Sequence, residues 1–96
     1  MSVLVSMRVA GDTEQFRRFV QDEERLVSIS ERAKAAGALH HRFAVGDGFV
    51  LVQDEWESAH QFREFVGGLG DVMRDAGAQG EPEITIAEAI ATADQF

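Results

Sequence analysis

The sequence predicts an α+β fold made of two strand–helix–strand units packed on one another. Three observations carry that prediction. Gln15-Phe16-Arg17-Arg18-Phe19-Val20 returns as Gln61-Phe62-Arg63-Glu64-Phe65-Val66. Each copy follows an apolar run, Val3-Leu4-Val5 in the first half and Val50-Leu51-Val52 in the second. Gly46-Asp47-Gly48 separates two strand-like runs midway along the chain, and that turn signal makes them a hairpin. A repeat joined by a hairpin reads β-α-β-β-α-β, the ferredoxin-like order. Such a fold has a four-stranded antiparallel sheet with its first and third strands adjacent at the centre. Both helices lie on one face.

Each element has its own justification. Residues 3–9 alternate, with Val3, Val5, Met7 and Val9 on one side and Leu4, Ser6 and Arg8 on the other. Gly11-Asp12 ends this strand, and Asp12 with Gln15 predicts a capping box that opens a helix over 13–36. Phe16, Phe19, Val20, Leu26 and Val27 form its inner stripe, Val27-Ser28-Ile29-Ser30 is its weak section, and Gly37 caps it. In the second strand, 38–45, Leu39, His41, Phe43 and Val45 share a face opposite His40, Arg42 and Ala44. In the third, about 49–56, the repeat puts Val50, Val52, Asp54 and Trp56 on the helix side.

Ser58 and Gln61 predict a second capping box and a helix over 58–76. Its stripe is Phe62, Phe65, Val66, Leu69, Val72, Met73 and Ala76. Gly67-Gly68 and Gly70 each cost about 1 kcal/mol against alanine in a helix, so a kink is expected there. The fourth strand covers 83–91, with Ile84, Ile86 and Ile90 on the helix side and Thr85, Ala87, Ala89 and Ala91 opposite. The tail from Thr92 to Phe96 docks on a neighbour or frays.

The sheet face away from the helices carries Leu4, Phe49, Leu51, Ala87 and Ala89 among Arg8, His40, Arg42, Gln53 and Glu55. It is too apolar for free solvent and too polar for a core. A second copy packing over it, in a homodimer, accounts for both properties. The 96 residues make one domain, and a domain so small gains from such burial. A formal charge of −8 disfavours nucleic acid and anionic membrane as partners. With no cysteine, no basic leader and no apolar run long enough to span a bilayer, a cytoplasmic setting is expected.

Few residues could carry chemistry. His40 and His41 are adjacent on a strand and point to opposite faces, so they cannot ligate one metal together. They read as one interface histidine and one pocket or core histidine. His60 and Glu64 have helical metal half-site spacing without a third ligand, and read as a solvated face. Trp56, the single tryptophan, is either a core plug or one wall of a pocket. Asp54, beside it and across the hairpin from His41, is either an acid–base group or a helix cap or arginine partner. Met7, Phe43 and Met73 read as packing around them. The candidate pocket is therefore His41, Asp54, Trp56, Phe43 and Met73, covered by the glycine-weakened helix. In this reading the missing side chains of Gly67, Gly68 and Gly70 leave the cavity.

Asp54-Glu55-Trp56-Glu57-Ser58, entering an apolar helix after a hairpin, resembles the antibiotic biosynthesis monooxygenase family. The resemblance implies a dimeric α+β barrel, in which two sheets face each other and each subunit holds a small pocket between helices and sheet. It implies cofactor-independent oxygenation of small aromatic or polyketide-like molecules such as quinols, with haem-degrading enzymes as other members. The family usually has a histidine on the second helix where this chain has Phe65. Its haem-degrading members use a first-strand asparagine, and this chain contains none. Neither haem nor a tightly bound metal is therefore expected. Two classes stay open: a cofactor-free oxygenase, or a non-catalytic dimer that binds a ligand or partner.

Overall fold

The structure, a computed structural model, describes residues 2–90. Its elements run β1 (Val3–Ala10), α1 (Thr13–Gln21), α2 (Glu23–Ala36), β2 (Ala38–Val45), β3 (Phe49–Trp56), α3 (Ala59–Gly67), α4 (Gly70–Asp75) and β4 (Glu83–Glu88). The sheet order is β2-β3-β1-β4 and every pairing is antiparallel, with β1 and β3 at the centre as expected. Val5 sits opposite Asp54 and Ile86, and Met7 opposite Val52 and Ile84, so the apolar sets of three strands share one face. That face is covered by the helices; Val5, Met7, Val9, Val50 and Trp56 are all buried there.

Each expected helix is two helices. The first breaks at Asp22, whose carboxylate accepts from Arg25 N at 3.2 Å and caps α2 anew. Glu23 and Glu24 in the following turn favour a helix start, because the N-terminal dipole end attracts negative charge. The break resets the helical phase. Leu26 stays inward as expected, but Val27, expected on the same stripe, is exposed, while Ile29 and Ala33 turn inward. The second helix breaks at Gly68 and Leu69, where a kink was expected. Its stripe survives the break, and all seven of its residues face the space above the sheet.

The two capping boxes are only half formed. Asp12 accepts from Glu14 N and Gln15 N, both at 3.1 Å, but Gln15 does not return the bond. Its Nε2 donates instead to Asp75 O at 2.9 Å, tying α1 to the end of α4. Ser58 Oγ accepts from Gln61 N and donates to Gln61 Oε1. Gly37 does cap α2, at φ 121°, and a Cβ there would meet the Gln61 amide.

Two strand assignments are corrected. The β2 ladder carries a bulge between Ala38 and His40. Ala38 therefore takes the core position opposite Trp56, and Leu39, expected to share the helix-side face of His41 and Phe43, is exposed. β4 stops at Glu88 because its partner β1 has run out at Val3. Ala89 N still donates to Ser2 O at 2.9 Å, but Ile90 is 87% exposed rather than under the helices. Ala91 and the tail from Thr92 lie outside the described residues.

The core falls into two clusters. Val5, Ala33, Trp56 and Phe62 form one, and Val9, Phe16, Val50 and Ala76 form the other. Two clusters under four short helices leave space between them. Among the described residues no helix is long and apolar enough to cross a membrane.

Candidate functional site

Between the helices and the sheet lies an apolar cavity of about 130 Å³ that touches both core clusters. All five residues singled out from the sequence, His41, Phe43, Asp54, Trp56 and Met73, line it. The pleat explains how they meet. Asp54 and Trp56 are two apart on β3 and so point the same way, and His41 is the register partner of Asp54 on β2. Phe43 follows His41 by two, with ring centroids 5.2 Å apart. Met73 comes down from α4.

Trp56 is the most deeply buried large side chain, at 1% exposure. Phe62 meets its ring edge-on at 5.7 Å and Phe65 lies tilted at 5.3 Å, both from α3. Phe65 thus closes the wall with an apolar ring. Trp56 Nε1 donates to Asp54 Oδ2 at 3.1 Å. Asp54 is therefore neither a helix cap nor an arginine partner. Its other oxygen, Oδ1, is buried with no hydrogen-bond partner among the described residues.

That environment sets the carboxyl's chemistry. Burial pushes the Asp54 pKa above its ordinary value of 3.8, while the Trp56 hydrogen bond and the nearby His41 pull it down. Burial wins. Among the described residues, Asp54 and His41 are the titratable groups on the cavity wall. A raised folded pKa means that the fold holds the proton more tightly than the unfolded chain does. The stability this contributes is full below 3.8 and is lost as pH rises through the raised value. Asp54→Asn keeps an acceptor for Trp56 and cannot ionise. Its melting temperature is expected to gain on the wild type as pH goes from 4 to 7. A difference independent of pH would show that Asp54 titrates normally.

The glycines are corrected. Gly67 and Gly70 have nothing within reach of an added Cβ, and Gly68 has only the carbonyl of Phe65 in its own helix. They face away from the cavity and serve to end α3 and begin α4. The cavity comes instead from the gap between core clusters. Leu26 of the expected stripe lines it too, and so do Ser30, Ile29 and Ala33 of α2, which the sequence reading does not single out. The signal for them was Asp22-Glu23-Glu24, a helix start in mid-run that moves the inner stripe. His60 Nε2 pairs with Glu64 Oε1 at 3.2 Å on an exposed face. Among the described residues no three His, Cys, Asp or Glu side chains converge as a metal site.

No family model matches the chain, and no curated protein matches it. Solved structures do. A monooxygenase from Streptomyces coelicolor, solved with the ligand nanaomycin D, aligns over 99% of this chain and 93% of its own, with a TM-score of 0.67 at 14% identity. A candidate antibiotic biosynthesis monooxygenase from Deinococcus radiodurans covers 98% of each chain, with a TM-score of 0.59 at 15% identity. A dimeric ferredoxin-like protein from an uncultured marine organism covers 99% of this chain and 93% of its own, with a TM-score of 0.65 at 12% identity. The chain thus has the ferredoxin-like α+β fold shared by these monooxygenases and dimeric proteins. At such identities the likeness is one of fold, and activity has to be argued from the site.

Proposed function

We propose that the cavity binds a small, electron-rich hydroxyarene, and that Asp54 takes its phenolic proton so that dioxygen can oxygenate the ring without a cofactor. The observation that carries this is Asp54 Oδ1, a buried carboxylate oxygen without a partner on an otherwise apolar cavity wall. A hydroxyl reaching it supplies the missing donor. Trp56 holds the other oxygen and so fixes the plane of the carboxylate. Desolvation makes Asp54 a stronger base, which narrows the gap to a phenolic proton. The arene is the reductant. Dioxygen adds at a ring carbon bearing hydrogen, one oxygen stays there as a carbonyl or its enol tautomer and the other leaves as water.

Cavity size selects the substrate. A dry apolar cavity of ~150 Å³ holds one benzene, so 130 Å³ suits one ring. A polyketide-sized molecule needs several hundred Å³. A second apolar space of about 60 Å³ adjoins this one across Met7 and Met73, unbranched side chains that adjust easily.

Hydroquinone is the probe. Under labelled dioxygen it is expected to quench Trp56 saturably and give 2-hydroxy-1,4-benzoquinone carrying one labelled oxygen, plus water. Asp54→Asn should keep the quenching and lower turnover by roughly 100-fold or more, the scale of a general base. Quenching without labelled product would establish non-catalytic ligand binding instead. Absence of saturable quenching would remove both readings for this class of ligand.

The same reading includes a homodimer through the open sheet face. Leu4 is exposed there, and Phe49 and Leu51 are half-buried, with the Arg8 guanidinium 3.7 Å from the Phe49 ring centroid. The marine ferredoxin-like protein of the same fold is dimeric, which supports a second copy as the cover.

A further inference from the structure

His41 stands in two walls at once. It lines the apolar cavity, and it also lines an outer groove of about 470 Å³ beside α2 and β2. Ser30 of α2 and Ala38 of β2 are the other residues common to both spaces. On the outer side the groove carries the charged side chains of Glu31, Lys34 and Glu57 beside Leu39 and His40. A partition of one serine, one alanine and one imidazole is thin. The first two side chains reach little beyond a methyl group, so the imidazole does most of the closing.

Three features make that partition movable. β2 is an edge strand, hydrogen-bonded to the sheet on one side. Its ladder is already interrupted by the bulge at Leu39, three residues or fewer from each β2 member of the partition. His41 has no side-chain hydrogen bond or ion pair among the described residues and rests beside the Phe43 ring. One rival way in is a second groove, which meets the cavity at Ile29 and Val72. Both of those side chains are branched and stiff, and both are partly buried.

We propose that small molecules reach the cavity past His41, between α2 and β2, and that the size of the side chain at position 41 decides what passes. The identity of the molecule rests on the function proposed above; the route does not. Trp56, the single tryptophan, lies on the inner side of the partition and reports access directly.

Acrylamide quenching of Trp56 fluorescence tests the route without needing a specific ligand. His41→Ala is expected to raise the quenching constant several-fold. His41→Phe should leave it at or below the wild-type value. Val72→Ala, at the rival wall, should leave it unchanged. Ser30→Leu thickens the partition from the helix side and should lower it, which keeps the test decisive if His41→Ala does not fold. Wild-type quenching in His41→Ala or in Ser30→Leu overturns the proposal, and so does a larger rise in Val72→Ala than in His41→Ala. With hydroquinone, failure of saturable binding alongside the expected acrylamide pattern would sink the proposed function and leave the route standing.

Discussion

Trp56→Ala is expected to lower the melting temperature by on the order of 15 °C or more. Truncating a buried aromatic costs roughly 3–5 kcal/mol, and 1 kcal/mol moves the midpoint of a domain this size by about 4–8 °C. Trp56 meets the conditions for the upper part of that range. It is 1% exposed, Phe62 and Phe65 pack against it, and Ala38 lies opposite it in the sheet. Its loss also removes the hydrogen-bond donor to Asp54 seen among the described residues. A buried carboxyl left without that donor costs roughly 1–3 kcal/mol more, relieved in part by protonation. Against a typical total of about 5–15 kcal/mol, the variant sits near the edge of folding. Trp56→Phe keeps much of the ring and loses the N–H, so its midpoint should fall between the two. Urea unfolding followed by far-UV circular dichroism gives the answer. A Trp56→Ala loss below about 1 kcal/mol would mean that the cavity simply enlarges and that Trp56 does not hold the helices to the sheet.

The same residue shows why the sheet was legible in the sequence. A pleat has a period of two, so any strand with one buried face announces which residues share it. That Asp54, Trp56 and Val52 share a face follows from that rule, and the repeat with Val3 and Val5 says which face it is. His41 follows too, because parity counted back from the hairpin at Gly46 stays intact as far as His40. The bulge lies beyond, between His40 and Ala38. Alternation carried through it assigns Leu39 to the core and misses Ala38. Nothing in Gly37-Ala38-Leu39-His40 marks a bulge, since its cause is the fit of the strand to β3 rather than a local preference.

The helices were legible in their stripe and not in their continuity. A helix stripe survives a break when both pieces pack on the same surface, as Phe62 through Ala76 do across Gly68. It does not survive when the break turns the second piece about its axis, as Asp22 does to Val27 and Ile29. The cavity was reached for a wrong reason. Missing side chains at Gly67, Gly68 and Gly70 leave no space, because those positions face outward. The space arises where two core clusters fail to merge, a property of packing among four helices that no single segment contains.

Leu51→Glu is expected to convert the proposed dimer to a monomer. Leu51 lies at the middle of β3 on the sheet face without helices, opposite Arg8 on β1 and Ala44 on β2. In a two-fold assembly each substitution appears twice, and the same patch meets itself. A carboxylate there must lose its water in both subunits. Removing a partner or adding an unpaired charge at a buried position costs roughly 3–5 kcal/mol, so association should weaken by at least about 100-fold. The neighbouring Arg8 is already engaged over the Phe49 ring, which limits how far it can compensate. Val27→Glu is the control, because Val27 is exposed on α2, on the layer away from that face. It should leave the assembly as it was. Sedimentation at 10 µM separates the outcomes, with wild type and Val27→Glu as dimers and Leu51→Glu as a folded monomer. A monomeric wild type, or a Leu51→Glu chain that remains dimeric, would place the partner elsewhere and leave Leu4 and Leu51 as ordinary surface residues.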